Sequence, residues 1–272
     1  MSAYTIVLSI AGSDSGGGAG IQGDIKTMSA LGCFATTAIT AITVQNTIGV
    51  QQVFPIPVGI VIAQVQAVLE DLKPMAIKIG MVYNSELLIA LASLLRKYPD
   101  IPFVYDPVMV STSGEKLFKD NSISVLRKTV LPLAHLLTPN LDEAGLLAEM
   151  KVNNVDAMKT AAQRILGYGG FAVLVKGGHL KGNSLYDVYL DRDGNQHTFQ
   201  SEIVETTNTH GTGCSLSSAI ACYLALGLPL FESISKARSY LRRAIIEGKG
   251  VETGKGHGPL NHFFSPEKLL KR

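Results

Sequence analysis

Asn208-Thr209-His210-Gly211-Thr212-Gly213-Cys214 is the stretch whose residue types can do chemistry. Apolar residues then recur at helical spacing (Leu216, Ile220, Ala221, Leu224) as far as Gly227-Leu228-Pro229, a glycine-then-proline helix stop. A helix that starts on a Gly-x-Gly turn leaves its first backbone N–H groups free, and those donors and the helix dipole favour an anion. The two glycines let the backbone approach that anion closely. Cys214 falls in the first turn, where a thiolate is stabilised. The spacing points to negative charge that sits or develops beside a sulfur. A plainer reading is also open: small residues at a helix start only let the helix pack close to a strand.

Other reactive side chains follow apolar runs. Gly12 to Gly20 comes after the strand-like run Tyr4 to Ile10. It is not a dinucleotide fingerprint starting at Gly16, because Ile21 replaces the last glycine, nor a P-loop starting at Gly12, because Gly18 replaces the lysine. The next helix carries the stripe Ile21, Ile25 and Met28, with Asp24 close to it, as a capping or surface residue or as a ligand contact at a pocket rim. Gln45-Asn46-Thr47 ends the Thr/Ile/Ala-rich run from Cys33, which reads as one or two strands. Met81 ends the short strand run Ala76 to Met81, at a Gly80-Met81 exit. Asp106 ends a strand that starts near Pro102 and suits a ligand or metal, or is a turn Asp before Pro107. Asn140 and Glu143 are spaced as a capping box, or also face a hydrated cation. Lys176 follows an apolar strand, where an ammonium is costly to bury unless it meets an anion.

Strands and helices that alternate along nearly the whole chain must position these groups. Helices are predicted over 58–72, 85–98, 121–131, 155–167 and 231–247, and a hairpin with an Asp193-Gly194 turn over 184–201. Ser111 to Glu115 reads as a loop. The alternation implies an α/β fold with a mostly parallel sheet and helices on both faces. No linker or repeat divides it, so residues 1–272 are expected to be one domain. A parallel sheet brings strand ends to one edge, so the Gly12 loop, Gln45, Met81, Asp106, Asn140, Lys176 and Gly211 to Cys214 converge on one site.

The bulk composition narrows the class. Apolar residues are 46% and charged residues 17% of 272, enough for a large core. A net charge of +2 argues against a nucleic-acid binder. Three cysteines without a CxxC pair indicate neither a disulfide framework nor a zinc site. No signal peptide or membrane span is read, so a reduced cytoplasmic compartment is the expectation.

The motifs together resemble the ribokinase-like superfamily, and closely its hydroxymethylpyrimidine/phosphomethylpyrimidine kinase branch of thiamine biosynthesis. They are Ala11-Gly12-Ser13-Asp14, Gly17 to Gln22, Val44 to Thr47, Lys78 to Met81, Asp106 to Met109, Thr138-Pro139-Asn140 with Glu143, Lys176 to His179, and Asn208 to Cys214. The wider superfamily has Asp where Cys214 stands; Cys214 agrees with the pyrimidine branch. The resemblance implies a three-layer α/β/α fold with small β-hairpin insertions, ATP and Mg²⁺ as cofactors, and two successive phosphorylations of an aminopyrimidine. Gln45 would hold the pyrimidine by paired hydrogen bonds, with Gly12, Asp24, Met81 and Val108 lining its pocket. Asp106, Asn140 and Glu143 would organise Mg²⁺. Lys176 would meet the nucleotide phosphates, with Asn208 and Thr209 on the ATP side. Gly211, Thr212, Gly213 and Cys214 would receive the transferring phosphoryl group, with Cys214 as base or as substrate contact. Family members are commonly homodimers, which suits the sparsely charged helix from Val58.

Three rivals are weighed. A pyridoxal kinase shares the fold, but Gln45-Asn46-Thr47 favours the pyrimidine branch. A non-catalytic binding protein should have lost part of the set Asp106, Asn140, Glu143 and Lys176. A cysteine hydrolase using Cys214 with His210 or His179 needs acyl chemistry on a pattern built for phosphate.

Overall fold

The computed structural model describes residues 2–109, 122–178, 180 and 184–271. The Ser111 to Glu115 loop, the expected helix start at Asn121 and His179 lie outside them. Nine strands form one sheet among the described residues: β1 (Ile6–Asp14), β2 (Phe34–Gln45), β3 (Val50–Pro55), β4 (Ala76–Ile79), β5 (Phe103–Tyr105), β6 (Leu136–Leu137), β7 (Ala172–Lys176), β8 (Ser184–Asp191) and β9 (Gln196–Glu202). Their order is β3-β2-β1-β4-β5-β6-β7-β8-β9. The six strands from β2 to β7 run parallel, and antiparallel β3 and the β8–β9 hairpin extend the two edges. The fold is a three-layer α/β/α sandwich, as the alternation and the resemblance imply.

The parallel strands are apolar on both faces because helices cover both. Leu8, Ile10, Ile77, Ile79, Tyr105, Leu137, Val173 and Val175 pack on one side. That side is covered by α2 (Val58–Ala67), α3 (Ser85–Leu95), α4 (Ser122–Thr129), α5 (Leu141–Ala148) and α6 (Val155–Leu166). Val7, Ala76, Val104, Leu136, Ala172 and Leu174 face the other side, against α1 (Gly20–Ala30), α7 (Thr212–Ala225) and α8 (Leu230–Gly248). Strand periodicity puts Ser9 and Lys78 on this second side, because Leu8, Ile10, Ile77 and Ile79 occupy the first.

Local chemistry sets several boundaries. The side chains of Asn84 and Asn154 accept the amides of Leu87 and Ala157 and so start α3 and α6. Asn140 and Glu143 form the full capping box of α5. The turn between β8 and β9 has Gly194 at φ +87°, and the Asp191 carboxylate takes the amides of Asp193 and Asn195. Two expectations are corrected. The helix from Val58 is regular only to Ala67; Val68–Leu72 is a π-helical turn that ends at Lys73 in the left-handed region. β1 runs on through Gly12 to Asp14, with a register shift against β2 between Ala11 and Ser13, so only 15–19 form a loop. A bulge there bends the strand and re-aims its side chains at the sheet edge.

The C-terminal segment braces α7 from outside. His262 is buried, with Nε2 3.0 Å from Ser215 Oγ in the first turns of α7, and its carbonyl accepts the Tyr240 hydroxyl from α8. Burial, with a smaller push from Lys26, holds the imidazole down at about 4, against the usual 6.5. The unfolded chain therefore binds this proton more readily than the folded one. The contribution of His262 is full above about 6.5 and is lost as pH falls towards 4, by ~3 kcal/mol in all. In urea titrations across this window His262→Gln is expected to lose less stability on acidification than the parent; equal slopes would rule the assignment out.

Candidate active site

The strand ends open onto a cleft of about 840 Å³. It is lined by Gly12, Gln45, Met81 and Val108 towards the β2 side, and by Asp106, Asn140, Glu143 and Lys176 towards the β7 side. The start of α7, Thr209 and Gly211 to Cys214, completes the wall. Almost every residue expected at a site is therefore in one cleft; the exceptions are Asp24 and Asn208.

Two glycine-rich segments meet bare backbone to backbone at the centre. Gly211 has φ +85°, and a Cβ on it would lie 1.9 Å from the Gly18 carbonyl oxygen. The 15–19 loop is wound round a carboxylate: Asp14 Oδ1 accepts the Gly16 amide, and Oδ2 accepts those of Gly18 and Ala19. His210 Nε2 donates to the same Oδ2 at 2.9 Å. Burial works to raise the Asp14 pKa, but the His210 and amide hydrogen bonds outweigh it and hold the carboxyl below the ordinary value. The loop thus binds an internal anion, Asp14, and no external phosphate is needed to explain its glycines.

Beneath the floor lies a second charge cluster. Lys78 Nζ sits 2.9 and 2.8 Å from the two oxygens of Asp24, and both residues are fully buried. The hydroxyls of Ser9 and Ser218 donate to the same carboxylate at 2.5 and 2.7 Å. Burial pulls the Lys78 pKa down, and Asp24, joined by Cys214 and Asp106, more than reverses this, so the ammonium is held well above its usual range. The expectation that Asp24 touches substrate is corrected: both its oxygens are taken by partners below the cleft, while Lys78 reaches the lining. Lys78 had a signal in the sequence, an ammonium inside Ala76-Ile77-Lys78-Ile79.

Asp106 follows β5 and stays in the ladder, its amide donating to Ile79 at 2.8 Å. Its Oδ1 accepts Lys176 Nζ at 2.7 Å and the Thr138 hydroxyl at 3.1 Å. Burial lowers the Lys176 pKa, but Asp106 and Glu143 raise it further, so it too is a firm cation. Burial pushes the Glu143 carboxyl up to about 7, with Lys176 opposing and Asp106 adding. A Cβ on Gly213 would lie 3.3 Å from Lys176 Nζ and 3.4 Å from Asp106 Oδ2, so the missing side chain leaves the first turn of α7 open towards both. Among the described residues no three His, Cys, Asp or Glu side chains form a metal cage. The Asp106 and Glu143 carboxylates line the cleft beside Asn140, whose Oδ1 accepts the Glu143 amide, and such an oxygen donor set suits Mg²⁺, which keeps waters and takes phosphate oxygens.

Cys214 does not behave as its place in α7 suggests. Burial pushes its thiol up to about 11; Lys78 opposes, and Asp24 and Asp106 add to the rise. Desolvation and two neighbouring carboxylates outweigh the helix terminus, so the thiol is the resting form. The Thr212 amide is engaged by Thr209 at 3.3 Å. Asn208 faces away from the cleft: it is buried and donates to the carbonyls of Gly248 and Val251, both at 2.7 Å, tying down the end of α8. Thr209 does line the cleft. The sequence reading missed the far end, where Arg238 is held by Asp187 at 2.8 Å and Ser201 at 3.0 Å over the Phe199 ring.

A cleft at the strand ends, with a helix-start anion mouth, paired cations and carboxylates, defines a ribokinase-like small-molecule kinase. The sequence profile described as phosphomethylpyrimidine kinase matches residues 14–261, and the chain belongs to this family. It is 49% identical to a hydroxymethylpyrimidine/phosphomethylpyrimidine kinase of Rhizobium meliloti (strain 1021), over 95% of this chain and 97% of that one. A phosphomethylpyrimidine kinase structure from Clostridium difficile 630 superposes with TM-score 0.78 at 42% identity, covering 88% of this chain and 99% of that one. A Bacillus subtilis pyridoxal kinase solved as an ADP complex superposes with TM-score 0.88 at 34% identity, covering 96% and 98%.

Removing one partner of a fully buried ion pair leaves the other charge uncompensated, at about 3–5 kcal/mol. Lys78→Met is expected to lower the unfolding free energy by that much in urea titration. Adding Asp24→Leu should recover a large part; no recovery would mean that the pair is not the source of the loss.

Proposed function

We propose that this protein transfers a phosphoryl group from ATP to the hydroxymethyl group of 4-amino-5-hydroxymethyl-2-methylpyrimidine, and then to the resulting monophosphate, within one cleft of a single kinase domain. The observation that carries this is the juxtaposition of two chemistries. Gln45, Met81, Val108 and Gly12 make a half-apolar pocket with one carboxamide, which suits a neutral heterocycle. The start of α7 with Lys176 makes an anion mouth beside it. Family membership supports the same substrate.

Lys176, a firm cation open to the cleft, would pair with nucleotide phosphate. The first-turn amides at 213 and 214 would take the equatorial oxygens of the group in transfer, where charge develops. Asp106, Glu143 and the Asn140 side chain would hold Mg²⁺ through direct and water-mediated contacts; when bound, the ion neutralises phosphate charge. Phosphoryl transfer relies mainly on positioning and charge stabilisation. Cys214, resting as a thiol, would therefore act chiefly as a contact to the hydroxymethyl group. Arg238 and the apolar far end would lie on the nucleotide side. The three cysteines are free thiols, which suits a reducing cytoplasm.

The test is a phosphoryl-transfer assay with ATP and Mg²⁺ that offers the pyrimidine, its monophosphate and pyridoxal separately. Both pyrimidines should turn over and pyridoxal much more slowly; fastest turnover of pyridoxal would overturn the substrate assignment. Cys214→Ser is expected to keep measurable transfer, since the thiol is not the charged base at rest; complete loss of turnover in a folded variant would restore the thiolate-base role.

The homodimer is proposed from the β3 edge. Ile42 and Phe54 are cross-strand partners and 49% and 61% exposed, with Val44 beside them and Ile60 of α2 exposed nearby. Apolar side chains clustered at a sheet edge mark an association surface. Phe54→Asp is expected to shift the protein from dimer to monomer in sedimentation velocity; an unchanged dimer would exclude this edge.

A further inference from the structure

Ser13 lines the β1 end of the cleft and is half-buried there. Its Oγ lies 2.8 Å from Gln22 Nε2 on α1. Which end of the Gln22 amide faces it follows from the backbone. Gln22 Oε1 is 2.8 Å from the Asp14 amide nitrogen, which can only donate. The nitrogen end of Gln22 therefore faces Ser13 and donates to it, so Ser13 Oγ accepts. The one hydroxyl hydrogen of Ser13 must point elsewhere, and among the described residues no acceptor receives it.

The polar side chains around Ser13 are already committed. Asp14 accepts His210 and the loop amides. Thr43 has one hydroxyl hydrogen, with the Ser13 carbonyl at 2.9 Å and Gln45 Oε1 at 3.1 Å to receive it. These two contacts hold Ser13 and Gln45 to one threonine, on the heterocycle side of the cleft. The Gln45 carboxamide offers one acceptor and one donor group, which match an amino group and the ring nitrogen next to it. A pyrimidine has a second ring nitrogen, an acceptor that this pairing does not serve. Without a donor it would lose the hydrogen bond that water gave it. The unclaimed Ser13 hydrogen is the side-chain donor at hand on that side.

We infer that Ser13 is a substrate-binding residue that donates its hydroxyl hydrogen to the ring nitrogen remote from the amino group, and that Gln22 is the positioning residue that sets the direction of that hydrogen. This inference rests on the reading of the cleft as an aminopyrimidine site with Gln45 as its carboxamide contact. A serine hydroxyl donates or accepts as its surroundings dictate. Gln22, anchored on the Asp14 amide, occupies an Oγ lone pair and leaves Ser13 to act towards the cleft as a donor. A ring that carries N–H or C–H at that position cannot accept the hydrogen, so the same contact sorts heterocycles.

The experiment measures KM and kcat for the aminopyrimidine and for the analogue in which that ring nitrogen is replaced by C–H, at a pH where both rings are neutral, in the parent, Ser13→Ala and Gln22→Glu. Ser13→Ala is expected to raise KM for the pyrimidine by about three- to tenfold, the equivalent of one neutral hydrogen bond, with KM for ATP unchanged. With the C–H analogue the same substitution should change KM by less than about twofold, because the contact is already absent. In Gln22→Glu a carboxylate still accepts the Asp14 amide but also accepts from Ser13, drawing the hydrogen away from the cleft. It should therefore raise KM for the pyrimidine as Ser13→Ala does and spare the analogue. A purely structural role would lower the melting temperature and raise KM for both rings alike. An unchanged KM for the pyrimidine in Ser13→Ala, or equal losses on the two rings, overturns the Ser13 contact; an unchanged KM in Gln22→Glu overturns the positioning role. Gln22→Glu decides alone if the Ser13 variant does not fold. A parent that phosphorylates no pyrimidine removes the functional reading beneath the inference.

Discussion

Contact between the 15–19 loop and the start of α7 is the constraint on which the cleft depends. No side chain separates them: the Gly211 Cα sits where a Cβ would strike the Gly18 carbonyl. Gly211 also holds φ +85°, a conformation costly for other residues. The approach turns two loops, 196 residues apart through the Asp14–His210 bond, into one wall. Through Ser15, which exchanges hydrogen bonds with the Gln45 backbone, that wall reaches the heterocycle side. Through Gly213 and Cys214, it reaches the phosphate side. Both chemistries of the site are referred to a single backbone contact.

Around that contact, charge is arranged in buried opposites. Asp24 meets Lys78, Asp106 meets Lys176, and Asp14 meets His210 and three amides. Each pair replaces lost hydration by fixed partners, which is how a protein keeps ions at a desolvated site. Glu143 is the exception: its partners do not offset burial, and its carboxyl rises to about 7. Cys214 shows the same balance for a thiol. The helix terminus alone would favour the anion, but desolvation and the carboxylates of Asp24 and Asp106 prevail over Lys78. A resting site of firm cations and a neutral thiol suits the reception of a polyphosphate more than nucleophilic attack by sulfur.

The layer order and most of the site were legible in residue pattern. Apolar runs announced the parallel strands, and the polar group after each run announced the edge where the cleft opens. Asn140-x-x-Glu143 announced its own capping box. The failures were of another kind. Asp24 sits on an amphipathic helix and reads equally as rim or interior; Lys78 and Ser218, 54 and 194 residues away, decide it. Asn208 lies in the most telling motif of the chain, yet its side chain braces the end of α8. In the 12–20 segment glycines permit close approach, and what approaches is the carboxylate of Asp14 from the same chain.

By itself the sequence determined what local periodicity and capping can encode: which segments are strands and helices, where they stop, and that their polar ends gather on one edge. Only the tertiary structure decided which charges pair and whether Cys214 holds its proton. These depend on desolvation and on partners brought within a few ångströms by the packing of β1, β4 and α7, quantities that no short window of residues contains.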